Sequence, residues 1–422
     1  MAGNSGTTTA MAAAAVIDAP RWDQALGAAL GQIGDTLTTE PDLVFLFASP
    51  AYAEQFNHIA GIAFERTGAR VLVGCSGQGV IGPEREIEDR PALSLLGAAM
   101  PDATLRAVHI SQSSIEACTS AEDWRRLTGV SLDDVNAWLI FSDPFTLNPE
   151  ALLTGLSAAY PGVPLVGGIA SGSPRVRQTH LFLNGEVHHS GAVLVAIGGA
   201  YTVQTVVSQG TEPIGETWTV TSAQGNMLET IGGRPTYEVL VETVQALPSE
   251  VQIRARTNLL IGLAADEYRD RFGRGDFVIR NLLGVDQATG ALAIGAHPRV
   301  GQTVQFQIRD AGAADDELRT MLSVTRTELG GRNPVAALLC SCTGRGAGLF
   351  GTPDHDARAL AGEFGPLPAA GFFCNGEIGP VGGVPFLHGF TASIGLIVPD
   401  PTFQVPHEPD VPVEPGIRNP EF

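Results

Sequence analysis

The chain has 422 residues, 44% hydrophobic and 17% charged, enough apolar material for two or three buried cores. Its 45 acidic side chains outnumber 25 basic ones, the formal charge is −20, and every residue counted as Lys or Arg is Arg. The missing lysine excludes Schiff-base chemistry on that side chain and the G-K-[ST] of a phosphate-binding P-loop, and the acidic surplus argues against nucleic acid or an anionic membrane as partner.

Five cysteines in a chain of this length point to a reduced, cytoplasmic setting. The start, with an apolar patch from Ala10 to Ile17 but no positive residues before it, is neither a signal peptide nor a membrane span. Residues 1–20 are therefore expected to be a disordered tail.

Leu43 to Phe47 is an apolar run of strand length, followed by Ser49-Pro50 as a helix start. Phe56, Ile59, Ala60 and Ala63 then repeat at i, i+3, i+4, i+7, Gly68 closes that helix, and Arg70 to Cys75 is the next strand. The pattern returns twice. Trp138–Phe141, Asn148-Pro149, the face Leu152, Leu153, Leu156, Tyr160 and Pro164–Ile169 form a second unit. Val335–Leu339, Thr352-Pro353, the face Ala357, Leu360, Ala361, Phe364 and Ala369–Cys374 form a third. Strong apolar strands at Ala192–Ile197 and Thr391–Val398 follow the second and third units.

Between them, Tyr201 to Asn333 reads as short or alternating apolar runs split by turns such as Asp286–Gly290, the mark of antiparallel hairpins, with a helix over Ala314–Thr327. The fold class expected is mixed α/β: repeated βαβ-type units with helices covering sheets, plus a sizeable antiparallel portion in the middle. Residues 399–422, rich in proline and acid, are expected to be a second disordered tail.

The runs TNLLIGLA, FVIRNLLGVD, ALLCSCTGRGAGLFG, AAGFFCNGEIGP and LHGFTAS together resemble the FIST domain family. The specific part is C-terminal: Ser341 to Gly346, Gly371 to Phe373, Gly376 to Pro380 and Leu387-His388. The N-terminal part is similar more loosely, through Gly74 to Gly77 and Leu165 to Gly168. The resemblance implies a FIST N-terminal domain over 21–235 and a FIST C-terminal domain over 236–398. It also implies a bacterial sensory protein for a small ligand, amino acids included, and some family members are haem-binding nitric oxide sensors. Gly389-Phe390 stands where the family carries polar residues, so the ligand is expected to differ. Kinase, cyclase and F-box patterns are missing from the sequence, so a signal would leave through a separate protein partner.

The ligand site expected comprises Cys342, Arg345, Gly346, Glu377 and His388, with Cys75 and Ser76 across from them. Arg345 lies among glycines just past a buried strand, where its guanidinium fork can grip a carboxylate. Equally, it can pair with a structural acid such as Glu377. Cys340, Cys342, Cys374 and His388 are chemically acceptable as a zinc set, Cys342 with His388 as a nucleophile and base, and His180 or His388 as haem ligands. Gly346, Gly348 and Gly351 fit G-x-G-x-x-G, which leaves a dinucleotide-dependent enzyme as a further alternative. A binding protein without catalytic activity, cofactor or resident metal is the expectation carried forward.

Overall fold

A computed structural model describes residues 11–173, 176–269 and 271–403. The three expected units are present, each a parallel pair of strands joined by a helix. The first pairs Leu43–Ala48 with Val71–Ser76 across helix Phe56–Thr67. The second pairs Ala137–Ser142 with Leu165–Ile169 across Pro149–Ala159. The third pairs Ala336–Cys342 with Ala369–Cys374 across His355–Phe364. These strands are buried throughout, which is why they read as continuous apolar runs rather than alternating ones.

Local signals fare unevenly. Asn148 caps its helix by accepting the Ala151 N–H at 3.1 Å, and Gly68 closes the first helix with φ of 64°. Ser49 does not cap: its hydroxyl accepts the Ala92 N–H, and a 3-10 turn, Pro50–Gln55, precedes the helix. In the third unit the helix begins after Asp354, two residues beyond Thr352. One glycine marks each returning strand. A Cβ on Gly74, Gly167 or Gly371 would lie 1.8, 2.0 or 1.9 Å from the carbonyl oxygen of Leu46, Ile140 or Leu339.

Each parallel pair grows into a six-stranded sheet on the same plan. On one side lies an antiparallel strand, Ala92–Ala99, Ala192–Gly199 or Ala392–Pro399, and then an edge strand, Met11–Asp18, Ala103–Ile110 or Tyr201–Ser208. On the other side lies a hairpin borrowed from a different unit. Residues 79–88, which follow the first unit, join the third sheet; 181–188 join the first; 377–388 join the second. The exchange is cyclic, so no unit completes its sheet alone.

The inner faces of the three sheets share one core. Phe47, Phe141 and Phe372, one from each unit, meet there with ring centroids 4.9 to 6.1 Å apart. At strand ends nearby, Ser76 donates to the Ser171 carbonyl at 2.8 Å and Ser171 donates to the Phe373 carbonyl, linking all three units.

Two expectations change. Residues 11–18 are an edge strand rather than tail: Ala13 and Ala15 are small enough for helix Trp22–Thr36 to pack close, and Val16 enters the shared core. Tyr201–Ser208 belongs to the third sheet, and antiparallel pairing starts at Thr211–Gln224. From there seven strands form a separate sheet carrying two helices, Thr236–Gln245 and Ser249–Asn258, before helix Ala311–Glu328 returns to the third unit. The chain is interleaved across position 235, since 201–208 pairs forward into the third sheet and 377–388 pairs back into the second. The expected tail from 404 lies outside the described residues. Among those residues, no helix is long and apolar enough to cross a membrane.

Candidate functional site

The buried strand Ala336–Cys342 delivers Cys342 at its end, and Thr343 and Gly344 turn the chain so that Arg345 points back inside. The Arg345 side chain is 0% exposed and forms a two-pronged pair with Asp356, Nε to Oδ2 and Nη2 to Oδ1, both at 2.8 Å. Asp356 also accepts the Ser341 hydroxyl at 2.6 Å and faces His355 Nδ1 at 2.9 Å; Nε2 of that ring lies 2.9 Å from Asp315. Burial opposes ionisation of Asp356, yet the Arg345 guanidinium holds its carboxyl well below the usual carboxylate range.

One nitrogen of Arg345, Nη1, is buried without a partner, and so are Nε and Nη2 of Arg309. Arg309 ends strand Thr303–Arg309 of the inserted sheet and lies 4.9 Å from the Phe390 ring centroid. Two glycines admit these groups: a Cβ on Gly344 would stand 3.1 Å from Arg309 Nη2, and one on Gly210 would stand 3.0 Å from Arg345 Nη1. Burial lowers the Arg309 pKa, and the charge of Arg345 lowers it further.

Facing these cations are Glu377, Cys342 and Glu317, acids that burial makes harder to ionise. Glu377 is fully buried; it accepts the Thr391 N–H at 3.0 Å and the Cys374 thiol at 3.2 Å, and burial pushes its carboxyl up to about 8. The Cys342 thiol, beside Glu377, is pushed up to about 12, first by burial and then by that carboxyl. Glu317 accepts the Ser208 hydroxyl and the Gly210 N–H with one oxygen, and its other oxygen is unpartnered. Burial raises the Glu317 pKa too. Buried donors left unpaired cost about 1–3 kcal/mol each, so three orphan guanidinium nitrogens at one place favour an oxyanion between them.

The fold thus gathers Cys342, Arg345 and Glu377 and engages the other expected residues in contacts of their own. Cys75 lies in the shared core beside Cys340. Ser76 accepts the His180 N–H and donates to Ser171, so both its hydrogen-bonding roles are taken. Gly346 faces the protein's own acid: a Cβ there would lie 2.6 Å from both Glu88 oxygens. His388 sits opposite Glu377 in the hairpin register, with Nε2 on the Gly379 carbonyl at 2.9 Å and Nδ1 unpartnered. Burial pushes that imidazole down to about 4.

The alternatives lose ground for physical reasons. Among the described residues no three His, Cys, Asp or Glu are placed to hold a metal ion, so Cys340, Cys342, Cys374 and His388 are not a ligand set. A thiol at about 12 beside an acid is a poor nucleophile, and His388 is engaged elsewhere. The G-x-G-x-x-G stretch forms only the short helix Gly346–Phe350, and the first N–H that would cradle a pyrophosphate, on Ala347, is taken by Glu88 at 2.9 Å. For haem, His180 is packed edge-on to Phe56 at 4.8 Å, so either candidate ring would have to leave its present contacts. Of the other histidines near that hairpin, whose turn is Asn184-Gly185, His188 stacks on His109 at 4.1 Å.

The family models of the FIST N domain and the FIST C domain match residues 42–234 and 237–380. The chain belongs to the FIST family. FIST domains are associated with small-ligand sensing. Among FIST relatives, an uncharacterized protein of Mycobacterium tuberculosis is 39% identical over 360 residues, covering 85% of this chain and 91% of that one. Another, from Mycobacterium bovis, is 37% identical over 389 residues, covering 91% and 98%. Of the solved structures similar to this FIST chain, a cyanuric acid hydrolase aligns over 93% of it and 100% of its own length, with TM-score 0.36 and 10% identity. A chorismatase aligns over the same shares with TM-score 0.32 and 10% identity. Both bear the names of enzymes, contrary to the expectation of a protein without catalytic activity, and that expectation is not carried further. At that distance neither assigns a reaction to this FIST chain.

Three residues of the FIST site escaped sequence reasoning. Arg309 closes an alternating strand, where an arginine reads as a solvated end, and Asp356 and Glu317 read as ordinary acids in helices.

Proposed function

We propose that this protein binds a small carboxylate, an amino acid or small organic acid, between Arg309 and Arg345, and reports its presence to a separate protein partner. The observation that carries the reading is a pair of guanidinium groups that leave three buried nitrogens without a partner, Nη1 of Arg345 and Nε and Nη2 of Arg309. A ligand carboxylate would accept from both, as two-pronged arginine recognition requires, while Cys342 and neutral Glu377 form the opposite wall. Asp356 holds Arg345 in place and leaves Nη1 for the ligand. Phe390 gives the pocket an apolar side on Arg309 where the family resemblance leads one to expect a polar residue.

Glu377 also offers a way to tell the two ligand classes apart. An ammonium group beside it would favour the ionised carboxyl, so an amino acid would release a proton on binding at pH 7, whereas a simple carboxylate would not. A thermal-shift screen over amino acids and small organic acids identifies binders. Calorimetry in two buffers of different ionisation enthalpy then measures proton release. Stabilisation of the wild type and its loss in Arg309→Met is the expected result; equal stabilisation of both removes the site.

A further inference from the structure

Away from that cluster, the inserted sheet does not close fully on the second unit. A cleft of about 590 Å3 separates them, walled by helix Pro149–Ala159, by strands of the inserted sheet and by the hairpin around Val384 to Leu387. Its volume falls in the range of about 300–1,000 Å3 usual for small-ligand sites, and such sites favour the seams between structural bodies.

The cleft has an apolar floor and a cationic side. Leu153, Val278, Phe386 and Leu387 supply the floor. Arg280 enters with only 14% of its side chain exposed; Nη1 donates to the carbonyls of Ile279 and Leu387 at 3.0 and 2.9 Å. Carbonyls orient a guanidinium but do not neutralise it. The nearest acid, Glu150, stands 3.6 Å from Nη2 and is itself 60% exposed, so water screens it. A half-buried cation without a buried counter-ion is notable in a chain with 45 acids and 25 basic residues. Arg299 and His297 line the same cleft, and the Ser157 hydroxyl is enclosed there without a partner.

We infer that this cleft is a second ligand site, for a small monocarboxylate with an apolar body, its charged end on Arg280 and Arg299 and its apolar end against Phe386 and Leu387. The apolar floor disfavours a small polar anion, and the arginines disfavour an amine. The site is independent of the pocket at Arg309, which lies on other side chains.

Octanoate labelled at its carboxyl carbon is the probe, followed by carbon NMR on the intact chain, with acetate and octylamine as comparisons. The wild type should bind octanoate saturably, at least tenfold more tightly than acetate or octylamine. Thr154→Trp, at an exposed position lining the cleft, should abolish binding by filling it, and Arg299→Ser should weaken it at least fivefold. Arg309→Met should leave it unchanged. An unaltered melting temperature of the unliganded variants checks that they fold. Octanoate binding that survives Thr154→Trp, octylamine that binds as tightly, or no saturable binding by the wild type overturns the assignment.

Discussion

Arg345 is paired with Asp356, through two hydrogen bonds of 2.8 Å in a site closed to solvent. Its pairing with Glu377, one of the two readings open from sequence, is absent from the structure. A buried pair of this kind is costly to break from one side, because the remaining charge stays buried without compensation.

Arg345→Met should therefore destabilise the fold by about 3–5 kcal/mol, read from chemical denaturation. Adding Asp356→Asn to it should recover part of the loss, since the orphaned carboxylate is then gone. A single variant as stable as wild type would mean the pair is not what holds this loop.

Arg309 predicts the opposite behaviour. Its buried nitrogens have no protein partner, so Arg309→Met uncovers no counter-charge and removes an unpaired group. Stability should stay within about 1 kcal/mol of wild type or rise, while stabilisation by the binding carboxylate disappears. Denaturation curves with and without ligand separate the two effects.

The dependence of stability on pH should carry the signature of two carboxyls protonated in the fold. Glu86 and Glu377 are each pushed up to about 8, chiefly by burial, from an ordinary value of 4.5. A carboxyl whose folded pKa exceeds its unfolded one binds its proton better when folded. Its contribution is complete below about 4.5 and is lost as pH rises through 8, at no more than about 1.4 kcal/mol per pH unit for each group. Melting temperatures between pH 5 and 8.5 should fall in the wild type and fall less in Glu86→Gln. Parallel profiles would show that Glu86 titrates normally.

The cysteines should divide one against four. Cys75, Cys340, Cys342 and Cys374 are buried, while Cys118 is half-exposed. A thiol reagent at pH 8 should modify one equivalent quickly, lost in Cys118→Ser, and the other four only on unfolding. Rapid modification of Cys342 would mean that its pocket opens further than the structure shows.

Much of the architecture was legible because its causes are local. Continuous apolar strands, the helical spacing of Phe56, Ile59, Ala60 and Ala63, and the Asn148 cap each lie within a few residues of chain. The repeat of those signals three times announced the three units. The alanine strand at 11–18 escaped because small apolar residues carry little strand preference, and its role depends on Ala92–Ala99 lying beside it.

By itself, then, the sequence determined the mixed α/β class, the three βαβ-type units, the antiparallel region between the second and third, and the residue types near Cys342. Only the tertiary structure decided which hairpin completes which sheet, because a short hairpin presents the same backbone donors and acceptors to any edge. It also decided the partner of Arg345. Asp356 and Glu377 lie 11 and 32 residues away, and which of them meets the guanidinium depends on how helix His355–Phe364 packs on its strand, a choice that spacing along the chain does not encode.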